Sequence, residues 1–186
     1  MTERFTPPRP LPGDRPLADQ IARMIRVDHA GEYGAAQIYK GQLAVLGDRH
    51  RLTPQIRHMR EQEQRHLDTF DRLVTDRGIR PTAIQPLWAV AGFTLGAVTA
   101  VMGERALMAC TAAVEEVIDT HYAEQREALG NHDSELAEIV EDFRKEEAEH
   151  RDIALAHDAE KTPGYNLLSG AIKAGCRAAI FLSKRV

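Results

Sequence analysis

Residues 63–66 read EQRH and residues 147–150 read EAEH, so the chain twice places a histidine three residues after a glutamate. On an α-helix this spacing brings the carboxylate and the imidazole onto one face. There they can bind a metal ion or merely share a hydrogen bond. The chain has 16 Glu and 8 His in 186 residues, so chance alone supplies about 0.7 such pairs and the motif by itself is weak. What surrounds the two pairs decides.

The elements that carry them are legible from periodicity. Ile21, Ile25, Asp28, Glu32, Ala35, Tyr39, Leu43 and Leu46 recur every three or four residues from Leu17 until Gly47-Asp48, the pattern of one helix face. A second stripe, Ile56, Met59, Glu63, His66, Phe70 and Leu73, starts at Thr53-Pro54 and closes at Gly78, with proline suited to the first turn. Residues 86–103 hold no charge. A third stripe, Leu107, Thr111, Glu115, Ile118, Tyr122 and Leu129, ends at Gly130-Asn131. The fourth starts from an Asp133 or Ser134 cap and runs Leu136, Val140, Phe143, Glu147, His150, Ala154 and His157, with Pro163-Gly164 as its expected end. The last residues read as a short amphipathic helix.

Glu32, Glu63, His66, Glu115, Glu147 and His150 therefore lie on stripes that should face a core. Buried charges persist only when paired or bound to metal, and two histidines cannot neutralise four carboxylates. Two divalent cations can. Spacing gives an independent argument: Glu32 to Glu63 is 31 residues and Glu115 to Glu147 is 32, while Tyr39 and Tyr122 each lie seven beyond the first glutamate of their half. Two helix pairs repeated in this way predict an all-α four-helix bundle with pseudo-twofold symmetry. Its interior would hold the ligand set of a carboxylate-bridged dinuclear centre. Asp28, His29, Asp119, His121 and His157 can orient a ligand or be ordinary polar residues. Tyr39 and Tyr122 either pack or hydrogen-bond to the cluster, and the repeat leads us to expect both hydroxyls at the same end of its cavity.

Four carboxylates and two imidazoles suit iron or manganese better than zinc or calcium. A reduced pair of ferrous ions would leave the site about neutral and able to give two electrons to O2. The formal charge of −4 argues against nucleic-acid binding. The two cysteines form no CxxC motif and fit a reducing compartment. Residues 1–16 are rich in proline and read as a disordered tail preceding one domain, 17–186, with neither the apolar core of a signal peptide nor the composition of a transit peptide. Eighteen uncharged residues are marginal for a membrane span, which needs about twenty. Gly92 and Gly96 form GxxxG, a weak signal of close helix packing. A buried helix is one reading of residues 86–103. The favoured one is a segment dipping into one leaflet beside the C-terminal helix, with Lys173, Arg177, Lys184 and Arg185 on the polar side. Gly31 and Gly34 flank Glu32 inside a helix, at about 1 kcal/mol each relative to Ala, which makes sense if a neighbouring helix or a ring approaches the backbone there.

The blocks IRVDHAGEYGA (25–35), PLWAVAGFTLGA (86–97), ACTAAVEEVIDTHY (109–122), EEAEHRDIALAHDAE (146–160) and AGCRAAIFLS (174–183) resemble the demethoxyubiquinone hydroxylases of coenzyme Q biosynthesis. The likeness runs in order over roughly residues 19–186. It implies a ferritin-like fold, two irons per chain bridged by carboxylates, membrane association, and O2-dependent hydroxylation of a 2-polyprenyl-3-methyl-6-methoxy-1,4-benzoquinol. The family's metal ligands fall on Glu32, Glu63, His66, Glu115, Glu147 and His150, with Glu63 and Glu147 as the bridging pair. Tyr122, His121 and Tyr39 are candidate catalytic residues beside it. An external reductant such as NADH, acting through the quinone, is expected, as are ubiquinone-biosynthesis partner proteins and homo-oligomers. The expected location is peripheral on the cytoplasmic face of a bacterial inner membrane, or the matrix side of the mitochondrial one for a processed eukaryotic form. Rival readings are another di-iron oxygenase, a manganese catalase, a ferroxidase or iron store, and a lipid-binding helper with a structural metal.

Overall fold

The computed structural model describes residues 16–186, so the expected tail, Pro16 apart, lies outside the described residues. Six helices follow in order: α1 (Leu17–Leu46), α2 (Thr53–Asp76), α3 (Gln85–Val101), α4 (Glu104–Leu129), α5 (Ser134–Ala156) and α6 (Tyr165–Ser183). No strand occurs among the described residues, and the all-α expectation holds. Pro54 sits in the first turn of α2, where its missing N–H costs nothing. Asp133 caps α5 by accepting a hydrogen bond from the backbone N–H of Leu136. Only Met102 and Gly103 separate α3 from α4, and Gly103 makes that reversal at φ 111°, a region that favours glycine.

α1, α2, α4 and α5 form the bundle, and their cross-links give its directions. Asp28, Glu32, Tyr39 and Gln42 on α1 bond in turn to Gln125, Tyr122, Glu115 and Thr111 on α4. Position rises along one helix as it falls along the other, so α1 and α4 are antiparallel. Arg77–Asp133, His66–Glu146 and Gln62–His150 show the same for α2 and α5. The apolar core is split in two. One part holds Tyr39, Ile56, Met59, Leu107 and Met108; the other holds Ile25, Phe70, Tyr122, Leu136 and Phe143.

α3 packs on α1, and α6 packs on α4. The α3 contact is backbone against backbone: a Cβ on Gly96 would sit 1.9 Å from the Ile38 carbonyl oxygen, and one on Gly92 would sit 2.6 Å from that of Gly34. The GxxxG signal therefore marks a real close approach. Among the described residues no helix is long and apolar enough to cross a membrane. Nor is α3 a buried helix, since Leu87, Val90, Val98 and Val101 line one exposed face. Two further expectations need correction. The fourth bundle helix stops at Ala156 rather than at Pro163-Gly164, because Asp158 adopts a left-handed conformation (φ 64°) and a 3-10 turn follows at Ala159–Lys161. His157 accordingly caps that helix and does not extend its inner stripe. Lys173 reaches Glu116 at 2.6 Å and ties α6 to α4.

Candidate metal centre

Glu32 and Glu115 come from α1 and α4, Glu63 and His66 from α2, and Glu147 and His150 from α5. All six are at most 1% exposed. They form two quartets, Glu32, Glu63, His66, Glu147 and Glu63, Glu115, Glu147, His150, and within each the ligand atoms lie within 4.8 Å of one another. Glu63 and Glu147 belong to both. The family resemblance implies such a shared pair, and the bundle brings all six residues together.

The donor atoms are those a pair of cations would need. Both oxygens of Glu63 and Glu147, one each of Glu32 and Glu115, and Nδ1 of each histidine are buried without a hydrogen-bond partner among the described residues. Orphaned buried polar atoms are rare in folded proteins and costly. Each histidine keeps Nδ1 inward, 3.1–3.3 Å from cluster carboxylates. On the outer side, Nε2 of His66 lies 2.8 Å from Glu146 and Nε2 of His150 lies 3.0 Å from Gln62. An N–H donated outward leaves the Nδ1 lone pair free for a metal. The set fits a dinuclear centre.

Electrostatics agree. Burial, then the neighbouring carboxylates, push Glu63 and Glu115 well above the usual carboxylate value. Burial works against charge on His66, but Glu32 and Glu147 overcome it and lift the ring to about 12. Glu147 goes the other way, to about 2, because the hydrogen bonds and charges of His150 and His66 outweigh burial. Without cations the cluster holds protons in their place.

The tyrosines do meet the cluster, but at opposite ends. The Tyr39 hydroxyl donates to Glu115 at 2.7 Å, and the Tyr122 hydroxyl donates to Glu32. The expectation of a common end fails because α1 and α4 are antiparallel. Two turns beyond Glu32, about 10 Å along α1, is the level of Glu115. Burial first, and then these carboxylates, keep both phenols protonated well above their ordinary value. His121 lies 3.3 Å from Asp28, beside Tyr122. His29 bonds outward to Asp71, and Asp119 pairs with Arg144 and Arg151.

Sequence reasoning missed Gln42, Gln125, Gln62 and Glu146. The first two lie ten residues beyond Glu32 and Glu115, and the second two directly precede the glutamates common to both quartets. The repeat that exposed the ligands could have exposed these.

An apolar cavity of about 520 Å³ lies between α1, α3, α4 and α6, within the size range of small-molecule sites. Gly31, Gly34, Trp88, Leu95, Ile118 and Cys176 are among its walls. Gly31 directly precedes Glu32, and Val114, also in the wall, directly precedes Glu115. Cavity and cluster therefore share two helices. A Cβ on Gly31 or Gly34 would meet nothing within 4 Å, so these glycines leave the space open on one side while Gly34 receives α3 on the other.

The chain is 55% identical to a 3-demethoxyubiquinol 3-hydroxylase of Rhodospirillum rubrum, over 95% of its own length and 83% of the relative. It is 51% identical to the human NADPH-dependent 3-demethoxyubiquinone 3-hydroxylase, mitochondrial, over 89% of the chain and 78% of the relative. It is 38% identical to the 5-demethoxyubiquinone hydroxylase, mitochondrial, of Saccharomyces cerevisiae, over 89% and 78%. The family model described as ubiquinone biosynthesis protein COQ7 matches residues 19–183, and with that span and those identities the chain belongs to this family.

Proposed function

We propose that the chain is a ferritin-like di-iron hydroxylase. Its reaction puts an oxygen atom of O2 onto the ring of a 2-polyprenyl-3-methyl-6-methoxy-1,4-benzoquinol. The observation that carries this is the pair of buried quartets sharing Glu63 and Glu147, one helix wall away from an apolar cavity. Relatives named as demethoxyubiquinol and demethoxyubiquinone hydroxylases supply the substrate class. Glu32 and His66 would hold one iron and Glu115 and His150 the other, with Glu63 and Glu147 bridging. When bound, the irons supply the two electrons and Lewis acidity that O2 activation requires.

The chain's own residues do the rest. The walls of the cavity hold the ring and exclude water. The open faces of Gly31 and Gly34 let the ring lie against α1 next to Glu32. Glu146 and Gln62 fix the ring orientation of the two histidines. Tyr122 and Tyr39 keep a proton at their hydroxyl oxygens and offer it to Glu32 and Glu115, so each end of the cluster has a donor that does not depend on bulk water. His121 and Asp28 stand behind Tyr122 and position it. The reductant comes from outside, and a nicotinamide nucleotide acting through the quinone fits the human relative's name. The exposed apolar faces of α3 and α6 beside the cavity support peripheral attachment to a membrane that supplies the quinol, which for a bacterial chain is the cytoplasmic face of the inner membrane.

The test is product analysis after anaerobic iron loading, then addition of reductant, a short-chain demethoxyquinone and isotopically labelled O2. The expected product carries one labelled oxygen on the ring. An iron-loaded chain that consumes O2 without altering the ring would overturn the assignment.

A further inference from the structure

The two halves of the bundle repeat the six ligands and the paired tyrosines, and one departure beside the ligands has a chemical consequence. Gln62 directly precedes Glu63, and Glu146 directly precedes Glu147. Symmetry-equivalent positions thus carry an amide in one half and a carboxylate in the other. Each reaches across to the histidine of the opposite half, Glu146 Oε2 to His66 Nε2 at 2.8 Å and Gln62 Oε1 to His150 Nε2 at 3.0 Å. Arg65 also pairs with Glu146 and fixes it in place. Several other contacts to the two ends match: a tyrosine on each outer glutamate, and two shared carboxylates. The ring neighbours differ, since Phe143 stacks on His66 where the other half has Met59, but neither side chain carries charge.

A carboxylate that accepts a histidine N–H makes the ring a stronger electron donor to a metal, and losing such a partner changes affinity by about 10–100-fold. A neutral amide accepts the same bond with less effect. We infer that Glu146 makes the two metal positions inequivalent, so that the Glu32–His66 position binds its metal more tightly than the Glu115–His150 position. This rests on the dinuclear reading above. Another departure in charge, Asp28 where the second half has Thr111, falls at the same end, with His121 3.3 Å from it. Burial raises the Asp28 carboxyl towards its neutral form, so it adds less charge there. Glu146 is a positioning residue that acts through His66.

Anaerobic titration of the metal-free chain with cobalt(II), followed by visible absorption and calorimetry, tests this without turnover. The wild type should take up one ion at least about tenfold more tightly than the second. Glu146→Gln keeps shape and acceptor and removes only the charge, so the tight step should weaken about tenfold towards the other. Gln62→Glu should strengthen the weak step, and it carries the same test should Glu146→Gln disturb folding. His66→Ala should abolish the tight step, whereas His150→Ala should retain it. Steps in Glu146→Gln that match the wild type, or that weaken equally, would overturn the inference and leave the dinuclear centre standing. A wild type that takes up no cobalt would overturn both.

Discussion

At the scale of single residues, the cluster was legible because burial and charge conflict at only a few positions, and those positions repeat. An acidic side chain on an apolar stripe is a rare event, and four of them in two pairs spaced 31 and 32 residues apart call for cations. Glu146 and Gln62 carry no such contradiction, since they are ordinary polar residues beside a stripe, and only the crossing of α2 and α5 gives them a role. The tyrosines show the same limit: spacing placed them two turns from a glutamate but could not say which one. Their hydrogen bonds to ligand carboxylates predict that Tyr122→Phe keeps fold and metal content while slowing turnover about 10–100-fold, with Tyr39→Phe equal or milder. Steady-state rates beside iron analysis check this. Metal removal gives a second prediction. Glu63, Glu115 and His66 all have folded values raised above their unfolded ones. Their contribution to stability is complete below the unfolded value and is lost as pH rises. Between about pH 6 and about pH 9 the metal-free chain should therefore lose melting temperature, through these groups together with His150, whose ring is raised as well. The metal-loaded chain should not, because cations replace those protons. Glu147, lowered to about 2, acts with the opposite sign, and its contribution is lost only as pH falls below the ordinary carboxylate value. Parallel calorimetric scans of the two forms would show whether the curves diverge.

At the scale of elements, glycine and proline gave most boundaries, because a backbone stop is a local event. The end of α5 was hidden since a left-handed aspartate, Asp158, ends the helix there and leaves no strong mark in sequence. The start of α5 was visible in Asp133. Arg77 and the Leu136 N–H hold its carboxyl below the ordinary value despite burial. Its contribution is therefore present above that value and lost as pH falls through the lowered one. Asp133→Asn keeps a cap but not the ion pair, so its melting temperature should fall below wild type near neutral pH and converge with it as the pH falls past the ordinary carboxylate value. A gap that stays constant with pH would show that charge at Asp133 contributes nothing. Packing of α3 makes a different demand. No alanine fits at Gly96, where the Cβ would meet the Ile38 carbonyl at 1.9 Å. Gly96→Ala should cost about 1–3 kcal/mol by forcing α3 away from α1, despite the better helix propensity of alanine. Denaturant unfolding of that variant against Gly170→Ala, a helical position whose Cβ meets nothing within 4 Å, separates packing from propensity.

At the scale of the whole molecule, α3 and α6 turn the bundle into something other than a closed metal store. Both cover the cavity, and both leave apolar stripes uncovered. On α3 these are Leu87, Val90, Val98 and Val101, the last 74% exposed; on α6, Leu167 is 80% exposed and Phe181 is 55%. Contiguous apolar faces of this kind mark docking surfaces, and amphipathic helices lie in a bilayer interface with that face down. Charge adds less than the sequence implied. Lys173 is spent on Glu116 and the Arg185 guanidinium lies over the Phe181 ring at 3.4 Å, while the chain as a whole is negative. Attachment should then depend more on apolar contact than on anionic lipid. We expect the chain to float with neutral vesicles nearly as well as with anionic ones, and high salt to release little of it. Alkaline washing should release it without detergent, because no helix among the described residues spans. Replacing Val90 and Leu167 by glutamate should abolish flotation while leaving the melting temperature and cobalt uptake near wild type, since both side chains project away from the core. Resistance to alkaline washing would point to insertion deeper than a surface layer. Failure to float at all would remove the membrane from this account and leave the exposed stripes for another protein to cover.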